Sequence, residues 1–205
     1  MRGRLIGAIA TGAALVATTV FAGTASAVPL VWDVSRDDGG TSGDFTGAAD
    51  VTVLTTASGI ELTCDSASAA GTANLGTGVS NPIATLPPGS TQFNNCAGPF
   101  GLTFEVAHQG TWELHGDSYA AGVTTGRITT IEADISGPFC EATVTGSVNG
   151  TFTNDSDELE VLPDQTLTVS YVDPNNDCLG LISQGEAAGF SGTFAITPGL
   201  TVVGS

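Results

Sequence analysis

The side chains with the most chemical promise gather between Glu105 and Asp117. Glu105 and Glu113 flank the stretch Val106 to Trp112, and His115 and Asp117 follow two and four residues after Glu113. A three-residue loop over His108 to Gly110 would make this stretch a hairpin, pairing Val106 with Trp112 and Phe104 with Leu114. That register turns Trp112 inward and sets Glu105 opposite Glu113 on the outer face, with His115 and Asp117 further along. Two facing carboxylates can serve glycoside hydrolysis as acid and nucleophile, with His115 as an imidazole base. They can also hold a cation, because like charges directly opposite otherwise repel. The plainer reading is two hydrated carboxylates, with His108 in the turn and His115 on a solvated strand face. The sequence has no G-x-S-x-G element, and a Ser-His-Asp triad would have to assemble from distant residues.

Two further loops carry oxygen ligands of the kind calcium takes. Asn154-Asp155-Ser156-Asp157-Glu158 lies between two strand patterns, with Glu160 just after. Asp173-Pro174-Asn175-Asn176-Asp177 precedes Cys178. The weak ligand candidates are Asp155, Asp157 and Glu158 in the first loop and Asp173, Asn175 and Asp177 in the second. Neither loop fits the EF-hand pattern: the sixth position from Asp173 is Cys178 and the twelfth is Gln184. The alternative is ordinary turn chemistry, in which Asp and Asn accept hydrogen bonds from their own backbone.

Charge removes several functions. The 205 residues hold 21 Asp+Glu against 4 Lys+Arg, a formal charge of −17. There is no lysine; the cations are Arg2, Arg4, Arg36 and Arg127. Nucleic-acid binding needs a basic footprint to displace counterions, and none exists. Lysine Schiff-base and P-loop chemistry lack their lysine. Attraction to anionic lipid is equally disfavoured.

Residues 1–27 read as an export signal. Arg2 and Arg4 form a positive start, Leu5 to Val20 is uncharged and largely apolar, and Ala25-Ser26-Ala27 is a small-x-small cleavage site. Residues 28–205 then form one extracellular domain, with no membrane insertion after signal removal. The four cysteines, Cys64, Cys96, Cys140 and Cys178, are an even number in an oxidising compartment. The pairing Cys64–Cys96 with Cys140–Cys178 closes the two shortest loops among the three possibilities.

The elements that must position these residues are strands. Leu102, Phe104 and Val106 alternate with polar residues, as do Ile131, Ala133 and Ile135, then Ala142, Val144 and Val148, then Leu167, Val169 and Tyr171. No stretch carries a helical stripe. Asn149-Gly150 is the strongest local hairpin signal, with Val148 opposite Phe152 in a three-residue version. The pattern predicts an antiparallel β-sandwich, with a β-barrel as the alternative. Val31 to Arg36 could join a sheet or trail free. A weak internal repeat runs through the chain: a strand cysteine (Cys64; Cys140), then an Asn-rich approach to a second (Cys96; Cys178), then apolar residues.

The layout resembles small, uncharacterised secreted proteins of high-GC Gram-positive bacteria. The residues that carry this are Ala25-Ser26-Ala27, Leu62-Thr63-Cys64, Phe93-Asn94-Asn95-Cys96, the run Gly137-Pro138-Phe139-Cys140-Glu141-Ala142-Thr143-Val144-Thr145-Gly146, and Phe190-Ser191-Gly192-Thr193-Phe194. The resemblance implies secretion and assigns no catalytic residue. The leading expectation is a non-enzymatic structural or interaction protein, with a cell-wall component or extracellular protein as partner. The alternatives are a secreted hydrolase of polysaccharide or peptide, and a carbohydrate-binding module using Trp32, Tyr119 or Tyr171 as a sugar platform.

Overall fold

The computed structural model describes residues 30–205; the export signal expected over residues 1–27 lies outside them. The chain forms β1 (Trp32–Arg36), β2 (Asp44–Ala49), β3 (Thr52–Thr56), β4 (Glu61–Ala73), β5 (Gly76–Val79), β6 (Ala84–Leu86), β7 (Thr91–Ala97) and β8 (Thr103–Gln109). It continues with β9 (Trp112–Ala120), β10 (Val123–Gly137), β11 (Cys140–Thr153), β12 (Glu158–Val161), β13 (Leu167–Asp177), β14 (Ala187–Thr197) and β15 (Leu200–Gly204). Two short 3-10 turns, Pro99–Gly101 and Cys178–Gly180, are the helical elements among the described residues.

Twelve of these strands make one antiparallel sheet that closes on itself. β2 and β3 pair in turn with β4, so they act as two pieces of one long strand. β6 and β7 do the same against β4, β8 and β9 against β10, and β12 and β13 against β11. With β4, β10, β11 and β14 this gives eight long strands. Each pairs with its neighbours in sequence, and β14 returns to β2 and β3. The two walls face each other across one core, as in a sandwich, and hydrogen-bonded pairs join them along both sides, with β13 meeting β14 through the two pairs Leu167–Ala188 and Thr168–Ala187. The expectation of an all-β antiparallel sandwich with two disulfides holds, and the pairing of β14 with β2 and β3 adds the closure of the barrel alternative.

Alternation builds the core. On β2 every second residue is buried, and on β11 Ala142, Val144 and Val148 are buried while Glu141 is exposed. Trp112, Phe45, Phe194, Ile131, Ile135, Val169 and Ile196 fill the interior. An eight-stranded barrel is about wide enough to be filled by its own side chains. Here it leaves apolar-lined voids of about 70, 60, 50 and 40 Å³.

Val31 to Arg36 does join a sheet: β1 pairs with β15 and β5 in a separate three-stranded layer. Trp32 is fully buried there. Its indole ring lies over Gly116, where an added Cβ would sit 2.1 Å from the ring. Glycine at this position is therefore a requirement of close approach, and β1 plugs this end of the barrel.

Two expected hairpins are absent. Gly110 does not turn the chain back. β8 and β9 run on in one direction along β10, and Gly110, at φ 62°, sits at the break between them. Trp112 still points inward, 6% exposed. Asn149-Gly150 also lies inside a strand, opposite Arg127 and Gly126. Gly150 is needed because β12 crosses so closely that a Cβ would meet the Glu160 carbonyl oxygen at 2.6 Å.

The disulfides are Cys64–Cys96 and Cys140–Cys178, each with Cα atoms 3.9 Å apart. In the eight-strand order they tie the second strand to the third and the sixth to the seventh. They thus occupy equivalent places in two four-strand halves, as the internal repeat in the sequence suggests.

Candidate functional site

The carboxylate pair does not form. Glu105 and Glu113 lie on the same long strand, eight residues apart, which is about 26 Å at strand rise. The hairpin that would bring them together does not exist. Glu113 instead neighbours His115, with Oε2 3.2 Å from Nε2. Across the ladder from His115 stands Arg127, which is paired with Asp117. Glu113 and His115 alternate with inward-facing Trp112 and Leu114, so this array lies on the outer wall. The exposed Arg127–Asp117 ion pair contributes about 0–1 kcal/mol.

His108 is the clearest departure from the sequence reading. It is buried in β8, 4% exposed, rather than held in a turn. Its Nδ1 accepts the Thr91 backbone N–H at 3.2 Å and lies 3.1 Å from the Thr91 hydroxyl. The ring stacks on Trp112 with centroids 4.0 Å apart. Burial holds its pKa below the ordinary histidine value, so the ring is neutral. It is a packed core residue.

The acidic loops spend their oxygens on backbone. Asp173 Oδ1 accepts the N–H groups of Asn175 (2.7 Å) and Asn176 (2.9 Å), and its Oδ2 accepts the Tyr171 hydroxyl. The Asn175 backbone bond is the leading cause that holds the Asp173 carboxyl below its usual range. Asn175 is itself one of the hydrogen-bond partners of the Asp173 carboxylate, and Asp177 is exposed. In the other loop Asp155 and Glu158 point to solvent, while Asp157 Oδ1 accepts the Leu200 N–H at 3.0 Å. Burial, assisted by the neighbouring Asp37 carboxyl, raises the Asp157 pKa. Among the described residues no three acidic, histidine or cysteine side chains gather as a metal site requires. The calcium candidates stay dispersed.

The aromatic candidates also separate. Trp32 is buried, Tyr119 packs against the core, and Tyr171 stands exposed alone. They form no coplanar platform for a sugar.

A different surface emerges at the end of the barrel that carries both disulfides. Four turns meet there, at 57–60, 98–102, 138–139 and 178–186. Three neighbouring turns each push one large apolar side chain into water. Phe100 is 84% exposed, Phe139 65% and Leu179 53%. Each of the three has a left-handed backbone, at φ 61°, 62° and 57°. Large side chains rarely adopt that region, which costs them roughly 1–2 kcal/mol per residue and suits glycine or asparagine.

The turns are fixed in place. The Cys178 N–H donates to the Phe139 carbonyl at 2.8 Å, and the adjoining disulfide clamps the same two turns. The Phe104 ring is wedged beside Gly98 and Gly137, within 2.6 Å of where a Cβ would stand at either. This fastens the Phe100 turn to the Phe139 turn. The Glu186 carboxylate accepts the N–H groups of Ser58 (2.7 Å) and Ser183 (3.1 Å), bridging the 57–60 turn to the 178–186 turn. Below the tips lies the void of about 60 Å³, lined by Leu54, Leu62, Leu102, Leu181 and Ile182 among others.

Gly98-Pro99 and Gly137-Pro138 are turn-forming dipeptides, but residue type alone assigns the neighbouring apolar side chains to the inside. The available signal is a bulky apolar residue next to glycine in both halves of the repeat, Phe100-Gly101 and Leu179-Gly180. Compared with protein-family models, curated proteins and solved structures, the chain matches none.

Proposed function

We propose that the protein is a secreted, non-enzymatic interaction protein of the cell envelope or medium, and that its contact surface is the disulfide-bearing end of the barrel. The observation that carries this reading is the exposure of Phe100, Phe139 and Leu179 on three adjacent, cross-braced turns. Isolated exposed apolar residues are ordinary on any surface. Three large ones, one from each of three neighbouring turns, are not, because each also holds a backbone conformation its side chain disfavours. A strained position at a protein surface points to a role beyond folding.

Rigid aromatic and aliphatic anchors are efficient in binding. They bury large area, and they lose little conformational freedom because the turns are already ordered. Secretion is supported by the export-signal pattern and the two disulfides. No helix among the described residues is long and apolar enough to cross a membrane.

The test is recovery on purified cell wall and in culture medium of the producing organism, with wild type beside F100N/F139N/L179N. Asparagine keeps the left-handed backbone and removes the apolar tips. Wild type recovered with a partner and the triple variant recovered about tenfold less or worse is the expected result. Equal recovery of both proteins would remove this end as the contact surface.

A further inference from the structure

We propose that the partner of this apolar end is a cationic polypeptide that presents apolar side chains, rather than a lipid surface or a second copy of the chain. The proposal rests on the reading of that end as a contact surface. The added observation is the charge around it. Glu61 lines the void beneath the tips, and it is exposed. Glu105 follows the Phe104 wedge and is exposed opposite Ser136, and Glu141 is exposed opposite the same serine on the far side. Asp177 pairs across the strands with Cys140 and is also exposed. These four carboxylates rim the three apolar tips.

No cation among the described residues offsets them. Among the described residues the arginines are Arg36 and Arg127. Arg127 is ten residues from Gly137 along β10, about 33 Å at strand rise. Arg36 sits opposite Leu200 in the three-stranded layer at the other end. His108 is buried and neutral, and His115 lies on the wall beside Glu113.

An apolar centre with an acidic, uncompensated rim selects its partner by sign. A second copy would bring four more carboxylates against the first four. An anionic membrane would repel the rim before the tips reached its apolar layer. A polypeptide carrying lysine or arginine around leucine or aromatic residues meets both parts at once, and the long-range field speeds its approach at low salt.

The experiment measures binding by fluorescence anisotropy to four labelled synthetic peptides: leucine/lysine, leucine/glutamate, leucine/serine and serine/lysine, each of alternating blocks and equal length. Sedimentation with phosphatidylcholine vesicles, alone and with phosphatidylglycerol, is run beside it. The expected result is binding of the leucine/lysine peptide alone, weakening at least tenfold between 50 and 500 mM salt. F100N/F139N/L179N should lose at least tenfold at either salt concentration. E61Q/E105Q/E141Q/D177N should bind weakly and lose most of the salt dependence.

Equal binding of the serine/lysine peptide, unchanged by F100N/F139N/L179N, would reduce the effect to the overall charge and overturn both this proposal and the contact surface. Binding of the leucine/serine peptide as tight as leucine/lysine, lost in the apolar variant, would keep the contact surface and overturn the cationic partner. Sedimentation with vesicles, lost in the apolar variant and without peptide binding, would assign the end to lipid. No binding to any peptide or vesicle would also overturn the proposal, since the leucine/lysine peptide carries both features it requires. Unchanged melting temperatures of the variants confirm that these outcomes report the surface and not the fold.

Discussion

At the level of single residues, three exposed tips and one partly buried carboxyl separate what the fold needs from what it tolerates. Phe100, Phe139 and Leu179 hold left-handed backbone that asparagine or glycine would hold at less cost. F100N, F139N and L179N should each leave the protein as stable as before or raise stability by up to about 1 kcal/mol, read as an upward shift of the thermal midpoint. A clear loss of stability in all three would show that these side chains are structural. Asp157 offers a pH test. Its folded pKa is raised by burial and by Asp37. Its protonation therefore favours the folded state, so its stabilising contribution is full at acid pH and fades as pH rises through the folded value. D157N keeps an acceptor for the Leu200 N–H and removes the charge. It should raise stability at pH 7 and change little at pH 3. A larger effect at pH 3 than at pH 7 would contradict this account.

At the level of elements, the decisive feature is how eight long strands are broken without turning. The sequence places strands correctly over 103–106, 131–136, 142–148 and 167–171, because alternation between core and water is written in residue type. It misleads at Gly110 and Asn149-Gly150, because glycine there serves a strand break and a close crossing rather than a reversal. Local turn chemistry cannot distinguish these uses, since the crossing partner, Glu160 on β12, is supplied by the rest of the fold. The separation of Glu105 from Glu113 follows directly, and with it the loss of the carboxylate site. Gly116 is a sharper case of the same requirement. G116A would drive a methyl group into the Trp32 ring and should cost at least about 1–3 kcal/mol. Loosening of β1 should appear as a red shift in tryptophan emission. An unshifted spectrum with an unchanged melting point would mean that Trp32 does not plug this end.

At the level of the whole molecule, the chain divides labour between its two ends. One end is shut by β1, β5 and β15 with Trp32 beneath them. The other carries both disulfides, four turns and the exposed apolar tips. The sequence makes the disulfide pairing legible, because each bond closes a local loop within one half of the repeat. The gathering of Phe100, Phe139 and Leu179 is not legible, because it depends on which ends of which strands meet once the barrel closes. Closure also predicts protease behaviour. Apart from Arg36 at the end of β1, Arg127 is the trypsin target among the described residues, and it is hydrogen-bonded into β10 between β9 and β11. The native oxidised protein should resist trypsin at Arg127, and cutting there should follow only on unfolding. Each disulfide should contribute about 3–4 kcal/mol by restricting the unfolded chain. C140S/C178S should also free the Phe139 and Leu179 turns, weakening binding more than C64S/C96S does.

The central claim, that this disulfide-bearing end is where the protein meets its partner, is tested most directly by hydrogen exchange with and without the envelope or medium fraction that retains it. Slowed exchange confined to residues 98–102, 137–141 and 177–182 is the predicted result. Protection centred instead on β1, β5 and β15, or on the outer wall around Glu113, His115 and Arg127, would contradict it.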